Sequence, residues 1–188
     1  MSERKVLLSM QITLDGYIAG PNDEMDWMHP AEQEWADLQA DLDEADTYLL
    51  GRKMYPGYSK YWQSLLKDPS DDNDEVKFAK LANKTQHIVF TRGNFSPDWK
   101  NTRVAQDLRK EIETLKQKPG KNMIAWGGAN FSSNLLKLGL VDELRFVLNP
   151  IILGHGKRIF DGAGRQEFQL LSSSEIENGT IVLRYRKR

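Results

Sequence analysis

The stretch Asn122-Met-Ile-Ala-Trp-Gly127-Gly128-Ala129-Asn130-Phe-Ser-Ser-Asn-Leu-Leu136 combines residue types and spacing suited to holding an anion. An apolar run stops at paired glycines and passes directly into a helical pattern. Glycine lets the main chain turn tightly and approach a ligand, and the first helical turn aims N–H groups without intrahelical partners outward. Such a helix end favours an anion by about 0.3–1 kcal/mol, and up to ~2 kcal/mol where water is partly excluded. The stretch is open to two readings, a phosphate site or a plain strand-to-helix turn. Two further junctions of the same kind weigh on the choice: residues 47–50 enter Gly51-Arg52-Lys53-Met54-Tyr55, and residues 86–91 end at Thr91-Arg92-Gly93. Asp15, followed by Gly16 at the end of an apolar run, offers a carboxylate at a similar place, although Asp-Gly is also an ordinary turn.

The elements that must position these residues follow from periodicity. Residues 6–13 are nearly all apolar and read as a central strand. Over residues 31–46, Trp35, Leu38, Leu42 and Ala45 recur at steps of three and four, which predicts a helix with one apolar face and an acidic, solvated one. Residues 76–82 and 108–115 read as helices, and 86–91, 102–105 and 144–148 as strands. The tail places Asn178-Gly179 between two β-rich runs, 168–176 and 180–185, predicting an antiparallel hairpin with a type I′ turn. Strands alternating with helices and closed by a hairpin describe a single α/β domain over residues 1–188, with a mainly parallel sheet and an antiparallel edge. In such sheets ligands bind beyond the carboxyl ends of the strands, where all three glycine-bearing junctions are expected. Their convergence favours a nucleotide crevice. The fingerprints GxGxxG and GxxxxGK[ST] are both absent, so a standard dinucleotide or P-loop site is not expected.

Composition narrows the classes. At 188 residues the chain is long enough to bury about 70% of its unfolded surface without staples. With no cysteine, disulfides, thiolate metal sites and a thiol nucleophile are excluded. His29, His87 and His155 are too far apart in sequence to predict a metal cluster. The 26 basic and 27 acidic residues are interspersed and leave a net charge of -1, which disfavours nucleic acid or an anionic membrane as partner. The acidic stretch 68–75 reads as a solvated loop leading into a helix capped by Asp or Ser, with calcium binding the weaker alternative. The first apolar run is too short for a signal peptide or a spanning helix, so a cytoplasmic protein is expected.

The chain resembles the dihydrofolate reductase-like superfamily, and most closely its riboflavin-biosynthesis reductase domain, the RibD C-terminal domain. The resemblance rests on the segment from Ser9 to Gly20 containing Leu-Asp-Gly-Tyr-Ile-Ala-Gly, on Leu50-Gly-Arg-Lys-Met-Tyr55, on Ile88-Val-Phe-Thr-Arg92, on Trp126-Gly-Gly-Ala129, and on Gly139-Leu-Val-Asp-Glu-Leu144 followed by Asn149-Pro-Ile-Ile-Leu-Gly-His-Gly-Lys-Arg-Ile-Phe160. It implies a three-layer αβα fold, NADPH as cofactor, hydride transfer to a small pyrimidine- or pteridine-like substrate, and a homodimer. It also implies a free-standing reductase without the fused deaminase.

Carried over by residue, Gly127, Gly128, Ala129 and Asn130 would hold the pyrophosphate from one side. Gly51 with Lys53 and Met54 would hold it from the other, Arg52 would pair with the adenosine 2′-phosphate, and Thr91 with Arg92 would flank the adenosine. Met54 stands where the family usually has threonine, at the cost of one hydrogen bond to the pyrophosphate. Trp27-Met-His-Pro-Ala-Glu32 matches the spacing that places an acid against the pteridine in the folate enzymes, making Glu32 the candidate proton donor, with burial expected to raise its pKa. Asp15 is the second candidate. Trp27, Tyr55, Gly154, Gly156 and Lys157 would meet substrate, although Leu153-Gly-His-Gly-Lys157 also reads as a turn between strands. Two other classes stay open: a nucleotide-binding module without catalysis, and an interaction domain that keeps the fold but binds no cofactor.

Overall fold

The computed structural model describes residues 4–28, 32–67 and 73–188. In chain order the elements are β1 (Val6–Thr13), β2 (Tyr17–Ala19), α1 (Glu32–Asp43), β3 (Ala45–Gly51), α2 (Tyr55–Leu65), α3 (Asp74–Ala82), β4 (Gln86–Phe90), β5 (Thr102–Ala105), α4 (Leu108–Lys116), β6 (Asn122–Gly127), α5 (Ala129–Lys137), β7 (Glu143–Asn149), β8 (Lys157–Arg158), β9 (Phe168–Glu175) and β10 (Ile181–Lys187). Eight strands form one sheet in the order β5-β4-β3-β6-β1-β7-β10-β9, and β2 pairs with β8 apart from it. The pairs from β5 to β7 are parallel, whereas β10 runs antiparallel to both β7 and β9. This is the αβα architecture that the resemblance implies, with the mainly parallel sheet and antiparallel C-terminal edge that the alternation of elements predicts.

Strand β1 explains why its sequence is almost continuously apolar. Parallel strands covered by helices on both faces bury alternate side chains in both directions. Val6, Leu8, Met10 and Ile12 join Ile112 and Leu115 of α4 and Phe131 and Leu135 of α5 in one core. Leu7 faces the other way, into a core built from Leu38 and Leu42 of α1, Tyr55 and Tyr58 of α2, and Phe78 of α3.

The turn between β9 and β10 has Asn178 and Gly179 both at positive φ, 61° and 71°, closed by Thr180 N–H donating to Glu177 O at 3.2 Å. That is the type I′ geometry expected of Asn-Gly. The cap of α3 differs from expectation: Asn73, rather than Asp or Ser, accepts from Val76 N–H at 2.9 Å. The rest of that acidic loop, 68–72, lies outside the described residues.

The largest departure concerns α1. Its acidic face is not solvated. Glu34, Asp37 and Asp41 turn towards the sheet and surround Arg145 of β7, whose side chain is 1% exposed. Arg184 of β10 adds a second cation, donating to Asp41 at 2.6 Å. Residues spaced 34, 37 and 41 share a helix side. The matching signal was present in the strands, where Arg145 and Arg184 interrupt otherwise apolar patterns.

Candidate functional site

Because β4, β3 and β6 are neighbours, the three junctions lie side by side at the carboxyl edge of the sheet. Gly51 is in register with Phe90, and Leu50 with Gly127. Gly127 and Gly128 adopt φ values of 119° and 94°, a region that side chains disfavour. A Cβ at Gly128 would lie 3.6 Å from Gly51 Cα, and one at Gly127 would lie 2.8 Å from Met10 Sδ. At Gly51 it would meet Phe131 Cβ at 2.8 Å. Sterics therefore require glycine on both sides, and the two loops form a narrow backbone cradle. The first helical bond of α5 is Ser132 N–H to Gly128 O at 2.9 Å. The amides of Ala129, Asn130 and Phe131 precede it and point out of the helix end. A phosphate fits this donor set. Met54 borders it, its Cβ 3.7 Å from the Cβ position of Gly128, and brings a thioether rather than a donor.

Arg52 leaves the end of β3 with its backbone N–H donating to Phe90 O at 3.3 Å. Its side chain is exposed, and its guanidinium lies over the ring of Phe95 at 4.7 Å from the centroid. Arg92 is exposed at the end of the adjacent strand. Among the described residues neither cation pairs with a carboxylate, whereas most of the other arginines do. Lys53 is likewise exposed. Thr91 is half-buried, and its hydroxyl accepts from Gly93 N–H at 3.2 Å.

The candidate acids part company. Glu32 begins α1 and is exposed rather than buried as expected. The turn before it, residues 29–31, lies outside the described residues. Glu34, two positions on, takes the inward place instead. Both its oxygens accept from Gln11 Nε2, at 2.9 and 3.0 Å, and Arg145 stands 3.8 Å away. Desolvation raises its pKa, against the opposing pull of Arg145 and Gln11 and with some help from Asp37. Asp15 goes the other way. Partial desolvation alone would raise its pKa, but hydrogen bonds from Thr13 Oγ1 at 2.7 Å, Gly154 N–H at 2.8 Å and Leu153 N–H at 3.3 Å together lower it. Asp15 is thus held as a carboxylate and ties the end of β1 to the loop before β8.

Two expected substrate contacts are buried. Tyr55 is 1% exposed; its hydroxyl donates to Asp98 at 2.8 Å and accepts from Trp99 N–H at 3.1 Å, so it faces the core on the α2 side. Trp27 is 6% exposed and donates to Glu24 O at 3.3 Å. The loop from Gly154 to Lys157 is also occupied. Gly154 O accepts from Tyr17 OH at 3.3 Å, a Cβ on Gly156 would run into the backbone of Ala19, and Lys157 forms an ion pair with Asp23.

This arrangement of sheet, cradle and cation defines a class, the dihydrofolate reductase-like fold. The model of the RibD C-terminal domain matches residues 4–182, and the chain belongs to that family. It is 30% identical, over 98% of its length and 96% of the relative's, to the uncharacterized protein YyaP of Bacillus subtilis (strain 168). Among solved structures, it is similar in fold to a Shewanella sp. PV-4 protein provisionally assigned to riboflavin biosynthesis, with a TM-score of 0.71 at 20% identity and coverage of 98% of this chain and 99% of that one. A dihydrofolate reductase from Enterococcus faecalis complexed with NADP(H) gives a TM-score of 0.64 at 11% identity, covering 98% and 96%. The family and its structural neighbours include reductases. No helix among the described residues is long and apolar enough to cross a membrane.

Proposed function

We propose that this chain is a cytoplasmic, homodimeric NADPH-dependent reductase acting on a small pyrimidine- or pteridine-like molecule, in the manner of the riboflavin-pathway or folate reductases, with residues 1–188 working as one unit. The observation that carries this reading is the close approach of the Gly128 and Gly51 turns at the ends of neighbouring strands, where a Cβ on Gly128 would already touch Gly51, with the open amides of Ala129 to Phe131 beside it. When bound, NADPH supplies a hydride; the chain's task is binding and orientation. The Gly127–Gly128 backbone, the amides of Ala129 to Phe131 and the Gly51 turn hold the pyrophosphate, with Lys53 adding positive charge. Arg52 pairs with the 2′-phosphate as a guanidinium fork, and Thr91 and Arg92 line the adenosine.

Reduction of a C=N bond also consumes a proton. Glu34 is the candidate carrier of that proton: burial raises its pKa and so favours its protonated form, whereas hydrogen bonds hold Asp15 as a carboxylate. Glu32 is then an exposed acid at a helix start, a place favoured by the dipole. For the dimer, β9 offers a surface: it is an edge strand with Leu170 and Leu171 about half exposed.

The experiment is thermal unfolding with NADPH, with NADH and with neither. Ligand at about a hundred times its Kd adds ~2.7 kcal/mol, and each kcal/mol moves the midpoint by roughly 2–4 °C at this length. A rise of several degrees with NADPH and a smaller one with NADH is expected. No shift with either at millimolar concentration would overturn the reading in favour of an interaction domain. A second reading, cofactor binding without turnover, draws on the Met54 thioether at the cradle. It predicts the same shift but no oxidation of NADPH by any pyrimidine or pteridine.

A further inference from the structure

Arg52 is a cation without a carboxylate partner among the described residues, yet it does not project freely. Its guanidinium rests on the face of Phe95, 4.7 Å from the centroid. Phe95 is itself half-buried and stands edge-on to Tyr55, with centroids 5.4 Å apart and planes at 82°. Tyr55 is fixed in turn, buried to 1% exposure with its hydroxyl bonded to Asp98 and to the Trp99 amide. The stack therefore runs from a locked tyrosine through an aromatic ring to a guanidinium. It supports the guanidinium from one side without engaging its N–H donors. A carboxylate in place of Phe95 would orient the arginine equally well but would occupy the fork and repel an incoming phosphate.

We infer that Phe95 is a specificity-determining positioning residue: by presenting Arg52 as a pre-oriented, unneutralised fork, it sets the preference for a nucleotide carrying a phosphate monoester over the same nucleotide without it. This rests on the reading of Arg52 as the partner of the NADPH 2′-phosphate. Phe95 touches neither cofactor nor substrate in this account and acts only through Arg52. Pre-orientation reduces the rotamer freedom that a long side chain loses on binding, which is where affinity is gained without a new contact.

The test is fluorescence titration of NADPH and NADH against the full chain and its Arg52→Ala, Phe95→Leu, Phe95→Tyr and Arg52→Ala/Phe95→Leu variants. Leucine keeps apolar bulk but has no ring face, and tyrosine restores one. Phe95→Leu is expected to weaken NADPH by about two- to fivefold, the range of an exposed cation–π contact, while NADH is unchanged. Phe95→Tyr should match the parent, and Phe95→Leu should add nothing once Arg52 is gone. Equal weakening of both cofactors by Phe95→Leu, or an undiminished effect in the Arg52→Ala background, would mean that Phe95 serves only packing and would overturn the inference. If Arg52→Ala discriminates between the cofactors and Phe95→Leu leaves NADPH untouched, this inference alone fails. If Arg52→Ala weakens both equally, or neither cofactor binds the parent, the reading of Arg52 fails and takes the inference with it.

Discussion

The sheet face beneath α1, α2 and α3 is built in two different ways. Under α2 and α3, the β3–β4–β6 half is aromatic: Tyr48, Tyr58, Phe78, His87, Trp99 and Trp126 meet edge-on or stacked. Under α1, the β1–β7–β10 half is ionic: Glu34, Asp37 and Asp41 close around Arg145 and Arg184, with Gln11 bridging Glu34 to Asn149. The rims above them differ in the opposite sense. Above the aromatic half, Arg52, Arg92 and the α5 amides keep their donors open. Above the ionic half, Asp15 is bonded to Gly154 and Lys157 is paired with Asp23. Polar capacity is spent inside one half and left at the edge of the other, and the open edge is where a charged ligand has something to gain.

The largest effect expected from breaking this contrast is at Arg145. Arg145→Ala removes the buried cation and leaves three carboxylates facing the sheet, so it should cost about 3–5 kcal/mol in denaturant unfolding. NADPH affinity of the folded fraction should be unchanged, since the cradle is on the other half. A cost below about 1 kcal/mol would mean the ionic half is solvated in solution.

On the aromatic side the corresponding probe is pH. Burial pushes the His87 imidazole down to about 4 from 6.5, against a backbone hydrogen bond at Thr85 that favours the charged form. The unfolded chain therefore binds this proton more readily than the folded one. Stability is full above pH 6.5 and is lost as the pH falls from there towards 4, by about 3 kcal/mol. In His87→Gln, which can still meet the Tyr58 hydroxyl, that part of the pH dependence should disappear. An unchanged slope in the variant would assign acid sensitivity to other groups.

Gly128→Ala tests the open rim. At φ 94° a residue with a Cβ is strained by about 1–3 kcal/mol, and the added methyl group lies in van der Waals contact with the Gly51 turn. About a tenfold loss of NADPH affinity is expected by titration calorimetry. The smallest effect belongs to the closed rim. Asp15→Ala frees the Leu153 and Gly154 amides, which should exchange hydrogen faster by about tenfold or somewhat more, the larger change at Gly154, whose bond to the carboxylate is the shorter. NADPH affinity should not change; a large loss would put Asp15 in the site.

How much of this was legible in the sequence depends on the range of the signal. Strand β1, the helices, the Asn-Gly turn and the three strand-end glycines are local patterns, and their places in the fold follow from elementary steric and burial rules. The strands β2 and β8 are not legible in the sequence because three and two residues carry no period. Tyr55 follows the Gly51 motif directly, but the first turn of α2 rotates it into the core, a fact set by packing against Asp98 and Trp99. Glu34 lay hidden behind Glu32 because spacing alone does not say which acid of a helical turn faces the sheet; Arg145 in a buried strand decides that, from a hundred residues away. The stack of Phe95 under Arg52 is likewise a long-range product, joining a loop to a strand end.

The most direct test of the central claim is an amide chemical-shift map on adding NADPH. If the cradle holds the pyrophosphate, the largest perturbations fall on Gly51, Gly128, Ala129 and Asn130, with Arg52 and Arg92 next, while Leu153 and Gly154 stay still. Perturbations confined to the Asp15 and Gly154 side, or absent from residues 127–130, would contradict it.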